Sequence, residues 1–314
     1  MKFILIGFFL RFLVAVWNGF FGPSFGADGD ALMFHDVALY VSNTGVFEAK
    51  YNIGWVYSIF LGSVYYLTLN SIFIGSLLSC FAWLISAIVL NKSIQLLGIH
   101  QKYRNRALFF YAIIPSSILF TSVTLREVYQ LLFVNTLIYS SLMILIRKNR
   151  RYWFLLSISA LFLGLLHFGL VLYALLVAVL TFYFTSIRQE KILSLELIIF
   201  YLPALVILSY GATNLFTSIV PFDFSDGLAA AVESYQMGHN ESRAMYVYKP
   251  EINGLFDLFL FMPVSLLQYL LEPMPWRIAT GLDLALFVEN IFRCFFIFYA
   301  VRAFFTVKKY FHFD

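Results

Sequence analysis

Long apolar runs alternate with short polar breaks along this 314-residue chain, and helix length predicts where each run must turn. A helix needs about 20 residues to cross about 30 Å of hydrocarbon at 1.5 Å per residue. Residues 152–187 form 36 positions without a formal charge, about 54 Å as one helix, so they predict two short spans turning at Leu166-His167-Phe168-Gly169. Residues 107–146 likewise predict two spans, broken at Pro115-Ser116-Ser117 and at Arg126-Glu127, the only charged pair in that stretch. Applied throughout, the pattern predicts an all-α polytopic protein. Its eight transmembrane helices lie near 3–21, 70–91, 107–121, 127–146, 152–166, 169–187, 193–217 and 281–305.

Two more apolar segments, 52–69 and 254–276, are read as interfacial or re-entrant. The reason is parity. The basic loops Lys92 to Arg106, Arg147 to Arg151 and Arg188 to Lys191 belong on the cytoplasmic side. With the N-terminus inside, a full crossing by 52–69 would export Lys102, Arg104 and Arg106. Asp257, Pro263 and Glu272-Pro273-Met274-Pro275-Trp276 interrupt the second segment, and treating it as interfacial returns Lys308 and Lys309 to the cytoplasm. The competing count is ten crossings with the N-terminus outside, which exports that basic tail. Under eight crossings the segment Asp28 to Asp36, the Arg126-Glu127 turn, the His167 turn and the loop 218–253 all open on the outer face.

Composition agrees with a membrane solvent: 61% of residues are hydrophobic and only 12% charged, with a mean hydropathy of +0.84. One soluble core of this length cannot hide so much apolar surface. The net charge of +4 arises from basic residues in short loops, so it reports orientation, and no basic face interleaved with aromatics points to nucleic acid. Cys80 and Cys294 sit inside separate apolar runs and read as packing residues. Arg11 interrupts the first apolar run and Phe25-Gly26-Ala27 is a poor cleavage site, so that run is expected to be an uncleaved span. The organisation expected is a module over 1–190 with an acidic outer loop at 22–51. A C-terminal region over 191–314 follows, with its outer loop at 218–253.

Against this background three carboxylates and a histidine fall within nine residues: Asp28, Asp30, His35 and Asp36. Ala31, Phe34, Val37, Ala38 and Val41 follow at helical spacing, which predicts an amphipathic helix on the membrane surface. Asp28 and Asp30 both suit a helix start. The sharper reading makes Asp30 a general base toward a sugar hydroxyl, with His35 as the partner that tunes it. Arg126 beside Glu127 at a membrane boundary suits bidentate capture of a phosphate, or a structural ion pair. His167 is the one ionisable group of its run apart from tyrosines and reads as a ligand or as a satisfied turn residue. The loop from Tyr235 to Tyr248, with Arg243 and Tyr246, mixes rings with polar groups in a way that suits stacking on sugars, or serves as a connector. Arg277 beside Trp276 is an interface anchor or a lipid-phosphate contact. Gly-rich phosphate loops, His-Glu-x-x-His and Gly-x-Ser-x-Gly are absent, while a transport path lined by broken helices stays open.

Several of these stretches together resemble the GT-C class of membrane glycosyltransferases, which use polyprenyl-phosphate-linked sugars. The carriers are the Arg11-bearing first span, Gly29-Asp30-Ala31-Leu32-Met33-Phe34-His35-Asp36-Val37-Ala38 with Gly45-Val46-Phe47, Gly54-Trp55, and Pro115-Ser116-Ser117 through Leu125-Arg126-Glu127. The resemblance implies that Asp30 is the catalytic carboxylate, Glu127 a second acid and Arg126 a lipid-phosphate ligand. Two departures stand out: His167 occupies a position where relatives often have arginine, and no large soluble domain follows residue 190. The C-terminal part, with Ser242-Arg243 and Glu272 to Trp276, also resembles bacterial polysaccharide polymerases that join O-antigen or capsule repeat units.

The expected function is therefore transfer of a sugar or glycan from a polyprenyl phosphate or diphosphate to an acceptor hydroxyl. The reaction, inverting, would run on the outer face of a bacterial inner membrane during envelope polysaccharide biosynthesis. Repeat-unit polymerisation, flipping or transport of a lipid-linked glycan, and an idle scaffold are the alternatives. Envelope glycan assembly proteins would be the partners. Asp30, His35 and Glu127 are the catalytic candidates. Asp28, Asp36, Arg126, His167, Arg243, Tyr246 and Arg277 are the candidates for substrate binding. No residue set is assigned to a metal, and no cofactor is firmly implied beyond the family's room for a divalent cation.

Overall fold

The computed structural model describes residues 1–23, 28–45, 55–167, 169–189 and 255–308, all of whose regular structure is helical. The chain divides into two compact units, Met1–Val220 and Pro221–Asp314. The described part of the first contains α1 (Lys2–Phe20), α2 (Asp28–Thr44), α3 (Trp55–Leu67), α4 (Ile72–Leu96), α5 (Gln101–Ile113), α6 (Pro115–Phe120), α7 (Glu127–Arg147), α8 (Tyr152–Leu166) and α9 (Gly169–Gln189). The described part of the second contains α10 (Leu255–Leu271), a 3-10 turn at Pro275–Arg277 and α11 (Gly281–Lys308).

Among the described residues, four helices are long and apolar enough to cross a membrane: α1, α4, α7 and the Asp283–Ala303 part of α11. The chain is thus a helical membrane protein. Val56–Leu67, Tyr152–Leu166 and Gly169–Thr185 are apolar but shorter. The sequence expects a full span at 107–121, yet the chain there is split at Ile114. Pro115 has no N–H to donate and forces its predecessor out of the helical region, so Ile114 takes φ −55° and ψ 118° and Pro115 starts a new helix at its first position. The expected span 193–217 lies outside the described residues.

The first unit is organised around α4 and α7. Small residues let the helices approach: a Cβ on Gly19 would lie 2.6 Å from the Phe73 Cβ, and one on Gly62 would lie 2.8 Å from the Ala38 carbonyl oxygen. Polar side chains are matched across the interfaces. Asn18 donates to Ser76 Oγ at 3.1 Å, Asn135 donates to Ser86 Oγ at 2.8 Å and to Tyr111 Oη at 3.1 Å, and Ser141 pairs with Thr181 at 2.6 Å. Such bonds matter more than apolar burial in lipid, because lipid tails are as apolar as the helix faces.

Arg11 is the extreme case. It is fully buried, and its guanidinium donates to Thr121 Oγ1 at 2.7 Å, to Ser117 Oγ at 2.9 Å and to the carbonyls of Gly7 and Ala112 at 3.0 Å each. It also stacks 3.7 Å from the Trp83 ring centre. One side chain thereby ties α1, α4 and the α5–α6 break into a single block. The turn that follows α6 is held to the same block, where Ser79 Oγ donates to the Val123 carbonyl at 2.7 Å.

Candidate functional site

The corner where α2, the α6–α7 turn and the end of α8 meet is assembled by contacts that are far apart in sequence. Thr124 Oγ1 donates to the Ala31 carbonyl at 2.8 Å, which fixes the start of α2 against the turn. Arg126, the residue before α7, donates through Nη1 to the Leu166 carbonyl at 3.2 Å and sits 5.8 Å above the Phe34 ring. Its Nε lies 3.9 Å from Glu127 Oε1, an ion pair too long to be a hydrogen bond. Asp30, exposed in the first turn of α2, lies within electrostatic reach of Glu127. His167, in the α8–α9 turn, lies within reach of Arg126. Four residues singled out in the sequence, Asp30, Arg126, Glu127 and His167, thus share one corner.

Helix lengths place this corner relative to the rest of the unit. The stretch 107–120 is broken at Ile114 and α8 is about 22 Å long, against about 30 Å for a hydrocarbon core. α2 and α3 pack against this corner: Ala31, Phe34, Ala38, Tyr57, Leu61, Tyr65, Val123, Leu125 and Leu166 form one buried cluster. The basic loop Arg147 to Arg151 lies at the other end of α7, about 30 Å away along the helix.

The other candidates are placed differently. Five residues of helix turn about 140° past Asp30, so His35 points elsewhere. Its ring is buried and its Nδ1 is 2.8 Å from Tyr65 Oη. Burial holds the imidazole below its ordinary range, against an upward pull from the exposed Asp36. Asp28 opens α2. Arg277 belongs to the second unit and pairs with Glu272 Oε1 at 2.8 Å. Arg243 and Tyr246 lie outside the described residues.

His167 serves the turn directly. Its Nδ1 accepts the Gly169 N–H at 3.1 Å, and loss of solvent followed by the Arg126 charge holds its pKa below the ordinary value. Both histidines therefore bind a proton more weakly in the native state than in the unfolded chain, whose value is about 6.5. The sign follows from linkage: their contribution is fully present above that pH and is lost as the pH falls below it. Thermal unfolding in detergent should show a lower Tm at pH 5 than at pH 7.5. His35→Gln with His167→Gln should flatten that slope; an unchanged slope in the double variant would contradict the assignment.

Of the polar residues buried behind the corner, the sequence singles out Arg126 and Glu127 alone. Arg126 Nε, Glu127 Oε2 and Gln130 Nε2 are buried without a hydrogen-bond partner among the described residues, while the buried Tyr57 and Tyr129 phenols face the Ser79 hydroxyl. Each such atom costs about 1–3 kcal/mol when left dry, so a group of three is unusual. The sequence does not mark Tyr57 or Tyr129, whose rings, one on α3 and one on α7, meet at 5.4 Å between centres. Asp30 and Glu127 are two carboxylates with a guanidinium alongside. Among the described residues no group of three or more His, Cys, Asp or Glu is gathered for a metal ion. The chemistry considered below uses no metal ion. Comparison with protein-family models, with curated proteins and with solved structures found no match to this chain.

Proposed function

We propose that this protein is a membrane glycosyltransferase of the GT-C type. In this reading it moves a sugar or glycan from a polyprenyl phosphate or diphosphate to an acceptor hydroxyl on the outer face of a bacterial inner membrane. The carrying observation is the corner itself: an exposed carboxylate, Asp30, within electrostatic reach of Glu127, which stands with Arg126 at the start of α7. A lipid-linked donor needs that combination, a cationic seat for phosphate at lipid depth and a base that faces water. In the proposed chemistry Asp30 accepts the acceptor hydroxyl proton as that oxygen bonds to the sugar anomeric carbon. The carbon–oxygen bond to phosphate breaks, its electron pair leaves with the lipid phosphate, and Arg126 neutralises the departing charge. His35, paired to Tyr65, positions α2 and hence Asp30.

The topology that goes with this reading has eight crossings, with α2, α3 and the segment of α10 lying at the surface and the basic loops inside. The polar His167 turn would then border the same outer site, and in the second unit Arg277 would hold lipid phosphate at the interface. Transfer of a whole repeat unit by the same corner is the polymerase variant of this proposal.

The test places a cysteine at position 30 in a background carrying Cys80→Ala and Cys294→Ser, since Cys294 is exposed. A membrane-impermeant maleimide should label Asp30→Cys in right-side-out vesicles, and a polyprenyl-phosphate-linked sugar should slow labelling. Labelling from the cytoplasmic side alone, or at a rate indifferent to the donor, would contradict the proposal.

A further inference from the structure

The first unit separates its charges by end. α4 and α7 run in the same direction, since Ser79 meets Val123 just before α7 and Ser86 meets Asn135 within it. α1 runs against them, with Asn18 near its end bonded to Ser76 near the start of α4. α2 lies across the end where α4 and α7 begin: its Ala31 carbonyl accepts from Thr124 at 2.8 Å, and its Ser42 hydroxyl donates to Asn70 Oδ1 at 3.0 Å. All four acids in the described part of the first unit, Asp28, Asp30, Asp36 and Glu127, are therefore at that end.

The opposite end is basic. Lys2 opens α1, Lys92 lies in the last turns of α4, Lys102, Arg104 and Arg106 occupy the first turns of α5, and the segment Arg147 to Arg151 joins α7 to α8. Packing gathers these distant stretches: the Phe3 and Phe109 rings hold α1 to α5 at 5.5 Å, and those of Tyr139 and Tyr152 hold α7 to α8 at 5.7 Å. Apart from the half-buried Arg104, every one of these cations is exposed. Among the described residues of the unit, no acid stands beside them.

Depth decides what such a surface meets. α4 is about 37 Å long, more than the about 30 Å of a hydrocarbon core, so its Lys92 end reaches the headgroup layer. Leu97, Ile99, Tyr103 and Phe154 are exposed among the cations, and the Arg106 guanidinium stands 5.9 Å from the centre of the Tyr103 ring. A soluble acidic partner would use the charges and leave these apolar groups without a role. A headgroup layer takes both, with rings at the interface and cations drawn to lipid phosphate.

We infer that this basic end, formed by Lys2, Lys92, the start of α5 and the Arg147 to Arg151 segment, is a binding surface for negatively charged phospholipids. Phosphate is common to all phospholipids; a net negative headgroup is what a cluster of cations without acids selects. The inference is independent of the transfer reading, because it uses the end of the unit away from Asp30 and Arg126.

The experiment reconstitutes the full-length protein in phosphatidylcholine vesicles with traces of spin-labelled phosphatidylglycerol or spin-labelled phosphatidylcholine, and compares the motionally restricted fraction of each label. The parent should prefer phosphatidylglycerol at least about threefold at low salt, and the ratio should fall toward one at about 1 M salt, where charges act over only about 3 Å. Lys102→Gln, Arg106→Gln, Arg147→Gln and Arg151→Gln together should lower the preference at least about twofold. Their melting temperature in a neutral detergent should match the parent's, since the replaced side chains are exposed. Lys2→Gln with Lys92→Gln, on other helices, should lower the preference in the same direction. Arg126 is present in every variant, so the loss is read at the basic end. Equal restriction of the two labels by the parent, a preference indifferent to salt, or parental selectivity in the four-site variant would each overturn the inference.

Discussion

Arg11→Lys is expected to destabilise the protein by about 3–5 kcal/mol, and to do so more severely than Arg11→Met. The guanidinium satisfies four acceptors on α1, α5 and the α6 region at once and lies flat against Trp83. A lysine keeps a charge in the same dry place but has three donors on one point, so it cannot span those acceptors or stack on the indole. A buried charge that loses its partners costs about 3–5 kcal/mol. Methionine has no charge to desolvate. It forfeits the bonds and the stacking, yet leaves no unpaired ion, which is the reason for the inverted order. A fall in Tm of about 10 °C for Arg11→Lys is the corresponding observable, at about 2–4 °C per kcal/mol for a chain of this size. Parental melting by Arg11→Lys would mean that the guanidinium does not hold the α5–α6 break in place. Because that break leads into the turn with Thr124, Arg126 and Glu127, the lysine variant should also weaken whatever the corner binds.

What the sequence made legible was set by length and by single residues. The turn at Leu166 to Gly169, the start of α7 at Glu127 and the first helix from Lys2 follow from charge, from Pro115 and from the distance that a helix covers. Hydropathy alone could not show that residues 101–120 make two helices with a bend at Ile114, because it counts apolar residues and does not test whether the helix is continuous. The pairing of His35 also lay beyond reach. Its neighbour in sequence, Asp30, is on another side of α2, and its partner Tyr65 is 30 residues away. The same is true of Tyr57 and Tyr129, whose rings are 72 positions apart in sequence and meet only in the folded chain. Local patterns marked the acids and the arginine, and non-local packing decides which of them meet.

Asp30→Asn is the second large effect. Asparagine has the same shape and is expected to leave the helix start intact, since the side chain is exposed, but it cannot take a proton. Loss of a general base lowers a rate by about 10²–10⁴. The measurement is turnover of a polyprenyl-phosphate-linked sugar by purified protein in detergent, where no second compartment exists for transport. Release of polyprenyl phosphate with glycosylated acceptor by the parent, and at least a roughly hundredfold slower release by Asp30→Asn, is the expected result. Equal rates for the two proteins, or movement of the intact donor across sealed vesicles with no bond cleavage in detergent, would contradict it.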